Sequence, residues 1–141
     1  MRFLTCLFAF AFLALVPSLP AQAQSDSDRS RIQAIIRSQI EAFQRDDGAA
    51  AYSYAAPSLK QVFPTVDGFM AMVKNGYTPL YRPKSYSFGE VKSADGKLLQ
   101  ALEVLGPNGD YWEAIYTFVR QEDGSWKIVS CYLVKAKDTS A

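Results

Sequence analysis

Glu103 and Glu113 are the residues whose types and spacing in this sequence most favour acid–base chemistry. They lie on either side of the turn segment 106–109, and a hairpin that pairs Leu105 with Tyr111 places them opposite each other on one sheet face. Neighbouring carboxylates raise the pKa of one of the two groups, which provides a neutral acid beside an ionised base. The alternative is an exposed pair balanced by a nearby lysine or arginine, and a register slip of one residue would place the glutamates on opposite faces.

A second set of residues favours ligand binding rather than catalysis. Arg82 lies between Tyr81 and Pro83 in a proline-rich loop, where its guanidinium could clamp an anion through paired hydrogen bonds. The alternative for Arg82 is a salt bridge that holds this loop against the helices. Abundant tyrosine favours a pocket with a mixed polar and apolar wall, and ordinary packing is the alternative explanation for the same residues. The candidate ligand-binding residues are Tyr54, Tyr81, Arg82, Trp112, Tyr116 and Tyr132.

The composition excludes several classes of site. The 141 residues include no histidine, which removes histidine bases, Ser-His-Asp and Cys-His nucleophiles, and histidine metal ligands. The two cysteines are too few for a cysteine-rich zinc site, and Cys131 is expected to be an inert thiol within an apolar strand. A net charge of +1 provides no basic field that would attract nucleic acid. We therefore predict no metal, no cofactor and no nucleic-acid partner.

Residues 1–23 have the pattern of a secretory signal peptide. Arg2 precedes an apolar run, and Ala21-Gln22-Ala23 forms a small-x-small cleavage pattern. The run of about 14 residues is shorter than the roughly 20 that a membrane-spanning helix requires, which disfavours an uncleaved anchor. We expect cleavage after Ala23, a periplasmic or secreted protein, and no membrane association after cleavage. The mature chain would have a flexible leader at 24–30, one domain at 31–136 and a flexible tail at 137–141.

The first half of the predicted domain is helical. Apolar residues at helical spacing predict an amphipathic helix over 30–45, with a buried isoleucine stripe and Asp28 or Ser30 as its N-cap. Asp47 and Thr65 are placed to cap two of the helices that follow. Those shorter helices are predicted over 49–56, 58–63 and 66–75, before a loop at 77–84.

The second half of the domain changes to a period of two, which predicts four antiparallel strands joined by short turns. The tight turn near Gly124 pairs Tyr116 with Cys131 and Phe118 with Val129. Both faces of this hairpin are largely apolar. We therefore expect the second face to cover a ligand cavity, another subunit or a curled sheet edge. The strands are predicted over 86–91, 98–105, 111–121 and 126–135, with an irregularity at Gly89.

Two sets of motifs resemble known families. The long helix, the break at Asp46-Asp47-Gly48 and a meander ending in Asp123-Gly124-Ser125-Trp126-Lys127-Ile128 resemble the nuclear transport factor 2-like (cystatin-like) superfamily. The signal peptide, Ile-x-x-Gln-Ile-x-Ala-Phe at 36–43 and Gly-Tyr-x-Pro-Leu-Tyr-Arg-Pro at 76–83 resemble the small secreted proteobacterial proteins of domain of unknown function family 4864. The superfamily resemblance implies a cone-like α+β fold, with N-terminal helices packed on a curved four-stranded antiparallel sheet. It also implies a pocket in the concave face and frequent homodimerisation through the sheet.

These observations leave three functions open. The first is a non-catalytic domain that binds a small apolar or amphipathic ligand, or a partner chain, in the concave sheet face. The second is an isomerase- or hydrolase-like enzyme that uses Glu103 or Glu113 with pocket tyrosines as proton donors. The third is a purely structural dimerisation module. A buried carboxylate beside a tyrosine would favour the enzyme, and two glutamates in solvent would argue against it.

Overall fold

The computed structural model describes residue 17 and residues 21–137. Most of the predicted signal peptide, and residues 138–141 of the predicted tail, lie outside the described residues. The described chain forms five helices followed by four strands. These are α1 (Ala21–Gln44), α2 (Gly48–Ser53), α3 (Pro57–Val62), α4 (Val66–Gly76), α5 (Thr78–Tyr81), β1 (Ser85–Ala94), β2 (Lys97–Leu105), β3 (Tyr111–Arg120) and β4 (Trp126–Lys135).

Helix α1 packs its isoleucine stripe against the sheet, as its periodicity predicts: Ile32, Ile36 and Ile40 are fully buried. The helix begins at Ala21, whereas the sequence analysis places its start near Ser30. No glycine or proline interrupts residues 21–30, so nothing in that segment stops the helix.

The added turns of α1 are held against the sheet by Asp28. Its carboxylate accepts hydrogen bonds from Arg120, at 2.7 Å, and from the indole of Trp126, at 3.2 Å. Both donors belong to the β3–β4 hairpin, and the guanidinium of Arg120 lies 4.8 Å from the Trp126 ring centre. This cluster ties the N-terminal part of α1 to the far end of the sheet.

Two of the predicted helix caps form, whereas Asp28 and Ser30, predicted as alternative caps of the first helix, lie inside α1. Asp47 accepts from the amide of Ala50 at 3.1 Å, and Thr65 accepts from the amide of Gly68 at 3.0 Å. Each bond satisfies an amide that has no partner within the first turn of its helix. The segment predicted as a loop over 77–84 differs, since it contains the short helix α5. Pro79 lies in the first turn of α5, where proline is tolerated because no backbone N–H is needed there.

The sheet is an antiparallel meander in the order β1-β2-β3-β4, as predicted. The predicted irregularity near Gly89 is a register shift between Phe88 and Val91. Gln100, which is fully buried, donates to the carbonyl of Gly89 at 3.1 Å and accepts from Gln33 of α1 at 3.0 Å. The side chain of Gln100 therefore satisfies a backbone group that the bulge leaves out of the ladder.

The β3–β4 register agrees with the prediction over only part of its length. Tyr116 pairs with Cys131 as predicted, but Phe118 pairs with Ile128 rather than with Val129. A bulge at this point leaves the extra residue on β4. Beyond the bulge, both backbone groups of Ile128 bond the segment before α3: its N–H to Tyr54 at 2.9 Å and its C=O to Ala56 at 2.7 Å.

The buried side chains form two clusters. The larger lies between α1 and the inner face of the sheet, and the smaller lies among α1, α2 and α4 around Phe43 and Phe69. Tyr116 and Phe118 stack with ring centres 6.2 Å apart in the larger cluster. Among residues 21–137, no helix is long and apolar enough to cross a membrane.

Candidate functional site

A cavity of about 230 Å³ lies where the two buried clusters meet. The helices form its roof and sides, and the inner face of β3 and β4 forms its floor. Fourteen described residues line it. They are Gln39, Phe43, Leu59, Phe63, Phe69, Met72, Val73, Tyr77, Leu80, Tyr116, Ile128, Val129, Ser130 and Cys131.

Local sequence spacing explains which side chains reach the cavity. Gln39 and Phe43 are four residues apart on α1, so they share one helix face. Phe69, Met72 and Val73 lie at i, i+3 and i+4 on α4 and share a face in the same way. On β4, four consecutive residues, 128–131, border the cavity, whereas a regular strand turns alternate residues away. The bulge on β4 therefore contributes directly to the cavity wall.

Tyr116 provides the most distinctive polar group in the cavity. The residue is only 2% exposed, and no hydrogen bond from its hydroxyl is found among residues 21–137. Every fully enclosed polar side-chain atom in those residues has a partner, so the Tyr116 hydroxyl is not fully enclosed, and the residue lines the cavity. Burial raises the pKa of Tyr116 well above its ordinary value of 10.0. The hydroxyl therefore stays protonated and can donate a hydrogen bond into the cavity.

Two further polar side chains line the cavity and are already partly bonded. The amide of Gln39 donates to the carbonyl of Ala51 at 3.2 Å, which leaves its oxygen as an acceptor. The hydroxyl of Tyr77 donates to the carbonyl of Cys131 at 2.8 Å. Burial also raises the pKa of Tyr77, so both tyrosine hydroxyls remain neutral.

The remaining wall is apolar and aromatic. The ring centres of Phe43 and Phe63 each lie 6.5 Å from that of Phe69. Burial raises the pKa of the Cys131 thiol, so the sulfur is neutral and a poor nucleophile. None of the fourteen lining residues carries an ionisable acid or base of the Asp, Glu, Lys or Arg type.

Of the six candidate ligand-binding residues, Tyr116 alone lines this cavity. Tyr54 packs against the larger core cluster from the segment before α3, and Trp112 packs at the other end of the sheet beside Gly106. Tyr132 points away from the helices and is 64% exposed. The pairing of Tyr132 with Ile115 places it on the outer face of the sheet.

Arg82 and Tyr81 bond residues at the end of α1 and do not line the cavity. Arg82 pairs with Asp46 at 3.0 Å and donates to the carbonyl of Phe43 at the end of α1. The guanidinium also lies 3.9 Å from the Tyr81 ring centre, and the Tyr81 hydroxyl donates to Asp46. These bonds satisfy a terminal helix carbonyl and fix α5 beside α1. The salt-bridge alternative is therefore the one that the structure shows.

Glu103 and Glu113 lie directly opposite each other, as predicted. Both are exposed on the outer face, and neither takes part in an ion pair within the described chain. The enzymatic alternative requires a buried carboxylate beside a pocket tyrosine. The arrangement does not provide one, because Tyr116 lies on the opposite, inner face.

Sequence reasoning missed most of the cavity. Gln39 is a polar residue on an amphipathic helix, and nothing in the sequence distinguishes it from a solvent-facing one. Phe43, Phe69 and Val73 are buried at helical spacing, but periodicity does not indicate where side chains leave a cavity in the core. Within residues 21–137, no group of three or more Cys, Asp or Glu side chains is arranged to hold a metal ion.

Solved structures place this fold in a known class. The chain is similar to a protein of unknown function from Silicibacter pomeroyi described as NTF-2 like, with 17% identity, a TM-score of 0.56, and coverage of 79% of this chain and 98% of that one. A second NTF2-like protein of unknown function, from Shewanella baltica, gives 10% identity, a TM-score of 0.55, and coverage of 79% and 97%. The fold is therefore that of the nuclear transport factor 2-like class, as the sequence resemblance implies.

A comparison with protein families gives a more specific assignment than the fold does. Residues 25–141 match the family described as Domain of unknown function (DUF4864), and the chain belongs to that family. No curated protein matches the chain.

Proposed function

We propose that this protein is a non-catalytic binding domain that holds a small, largely apolar ligand in the cavity between its helices and its sheet. The observation that carries this proposal is a cavity of about 230 Å³ whose wall is apolar apart from a few polar groups. One of these groups, the Tyr116 hydroxyl, has no hydrogen-bond partner within the described chain. Buried polar groups normally form hydrogen bonds. A buried donor that has no protein partner in a cavity wall therefore favours a ligand that carries a hydrogen-bond acceptor.

The same wall supports a binding role over a catalytic one. Acid–base catalysis needs a titratable group within hydrogen-bond reach of the reacting atoms. The lining residues include no carboxylate, lysine or arginine. The neutral thiol of Cys131 and the neutral phenols of Tyr77 and Tyr116 are poor bases at physiological pH.

We further propose that the protein acts in the periplasm or outside the cell. The apolar run near the N-terminus and the pattern Ala21-Gln22-Ala23 support this location.

Native mass spectrometry of protein purified from its own host tests the binding role. We expect a mass above that of the polypeptide, which disappears on denaturation. The variant Val73→Phe places a larger side chain in the cavity wall and should lack the added mass. Val62→Phe, at a position 68% exposed on α3, is the matched control and should retain it.

Met72→Trp, at a half-buried position on the rim, is a second blocking variant in case Val73→Phe does not fold. An added mass that survives both blocking variants would contradict a ligand in this cavity. Wild-type protein that carries no added mass and gains none on exposure to host extract would also contradict the proposal.

The outer face of the sheet supports a second role, homodimerisation. It exposes Tyr111, Tyr132 and Val134, which are 63%, 64% and 58% exposed. Exposed apolar side chains grouped on one face are typical of an interface. Along the strands, the Glu103–Glu113 pair lies toward one end of this face and Lys97, paired with Val119, toward the other.

A two-fold axis across the strands would bring the glutamates of one copy near Lys97 of the second copy. Such a self-complementary arrangement is what a two-fold interface requires. Sedimentation equilibrium should show a dimer that Tyr132→Glu dissociates. A wild-type monomer at all concentrations would contradict this role without affecting the cavity.

A further inference from the structure

We propose that the cavity selects an uncharged, single-ring ligand of about nine non-hydrogen atoms that carries one hydroxyl group, a phenol-like molecule. This inference rests on the proposed binding function and specifies its ligand. It is argued from the charge, hydrogen-bonding groups, size and shape of the cavity.

The lining excludes an ionised ligand. An unpaired charge moved into an apolar site costs far more free energy than a neutral polar group does. Here no side chain of opposite charge is available among the fourteen lining residues. Arg82 is paired with Asp46 and does not line the cavity. A carboxylate or an ammonium ligand is therefore disfavoured.

The polar groups that line the cavity match a ligand that carries a hydroxyl group. Tyr116 offers an O–H donor that remains protonated, and the bond from Gln39 to Ala51 leaves the Gln39 oxygen as an acceptor. A ligand hydroxyl both accepts and donates, so its chemistry matches a donor and an acceptor in the same cavity. A hydrocarbon satisfies neither, and leaving a buried group unpaired reduces affinity.

The volume of the cavity indicates a ligand with a single ring. A cavity of about 150 Å³ holds benzene, and sites for drug-sized ligands begin at about 300 Å³. In proportion to the benzene cavity, a volume of about 230 Å³ corresponds to a ligand of about nine non-hydrogen atoms. A long acyl chain does not fit this volume without displacing the wall.

The wall favours an aromatic ring over an aliphatic chain. The ring centres of Phe43 and Phe63 each lie 6.5 Å from that of Phe69, a separation at which aromatic rings attract in tilted and edge-on geometries. Met72 adds a polarisable sulfur, which also packs well against rings. A planar ligand ring would extend this cluster.

Calorimetric titration with three matched probes tests the inference. Para-ethylphenol carries the hydroxyl, para-ethyltoluene replaces the hydroxyl with a methyl group, and para-methylbenzoate carries a charge. We expect wild-type protein to bind para-ethylphenol about two- to tenfold more tightly than para-ethyltoluene. We expect no measurable binding of para-methylbenzoate.

Two variants identify the group that recognises the hydroxyl. In Tyr116→Phe, the affinity ratio of para-ethylphenol to para-ethyltoluene should fall toward one, because the donor is gone and only the Gln39 acceptor remains. In Tyr54→Phe, the matched control outside the cavity, the ratio should stay at its wild-type value. A ratio that Tyr116→Phe leaves unchanged would overturn the inference, as would para-methylbenzoate binding as tightly as para-ethylphenol.

The failure of this inference differs from the failure of the proposed function. If none of the three probes binds but native protein carries a mass that Val73→Phe removes, the cavity binds a ligand of another class. In that case the phenol-like ligand is rejected and the binding role stands. If the probes do not bind and no mass is carried, both are rejected.

Discussion

Replacing Tyr116 by phenylalanine should leave the ligand-free protein as stable as the wild type or make it more stable. The Tyr116 hydroxyl has no protein partner among residues 21–137, so its removal breaks no bond within them. A polar group buried without a partner costs about 1–3 kcal/mol in protein mutational data. Water in the cavity recovers part of that cost, so we expect the free energy of unfolding to rise by about 0–1 kcal/mol.

Tyr77→Phe is the matched comparison, because Tyr77 lines the same cavity but its hydroxyl donates to the carbonyl of Cys131 at 2.8 Å. Losing that bond should lower the free energy of unfolding by about 0.5–1.5 kcal/mol. The two substitutions remove the same atom from two residues of one cavity, yet their effects on stability should have opposite signs or differ by about 1 kcal/mol.

Urea unfolding followed by circular dichroism measures both effects, with equal slopes required for the comparison. The measurements use protein that has been unfolded and refolded to remove any ligand. If Tyr116→Phe destabilises the protein as much as Tyr77→Phe, the Tyr116 hydroxyl is bonded within the fold. The cavity would then lack the free donor on which the ligand assignment depends.

Three further predictions concern local packing and ionisation. A methyl group at Gly48 would lie 2.9 Å from side-chain carbons of α4, with nothing within 4 Å at Gly76. In thermal denaturation, Gly48→Ala should therefore lower the free energy of unfolding by about 1 kcal/mol, whereas Gly76→Ala should raise it by about 0.5–1 kcal/mol. Effects of equal sign would contradict this packing. The hydrogen bond from Tyr81, with Arg82 adding to it, holds the pKa of Asp46 below 3.8. The stabilisation of the fold by ionised Asp46 is therefore present above about pH 4 and is lost as the pH falls through the pKa that Asp46 has in the folded protein. Asp46→Asn should be less stable than wild type at pH 7, and this difference in urea unfolding should shrink, not widen, on acidification. Because burial raises the pKa of Cys131, iodoacetamide at pH 8 should modify native protein far more slowly than urea-unfolded protein, and equal rates would show an accessible thiolate.

The sequence contains enough information to predict the sheet wherever turn chemistry determines the register. The pairing of Glu103 with Glu113 follows from the length of the turn at 106–109, and the structure confirms it. The same reasoning is wrong for Phe118 beyond the β4 bulge. The extra residue there reverses the alternation of β4, so that Ile128 on one side of the bulge and Cys131 and Leu133 on the other all face the core. The bulge is associated with backbone bonds from Ile128 to a distant segment.

The site was harder to predict than the fold, because a cavity is a property of packing between elements. Arg82 has the side chain of an anion-binding residue, but the carbonyl of Phe43 and the carboxylate of Asp46 use its donors. No local pattern indicates that Arg82 meets these two residues, since it is 39 positions from Phe43 and 36 from Asp46. Tyr116 was selected because buried phenols need partners, and its buried hydroxyl has no partner among residues 21–137.

A crystal structure of the protein soaked with para-ethylphenol tests the central claim most directly. We predict that the ring occupies the cavity beside the Phe43–Phe69 pair, with its oxygen within hydrogen-bond distance of the Tyr116 hydroxyl, about 2.5–3.0 Å. A cavity that remains empty at saturating probe, or that is closed by the side chains of its own wall, would contradict the account.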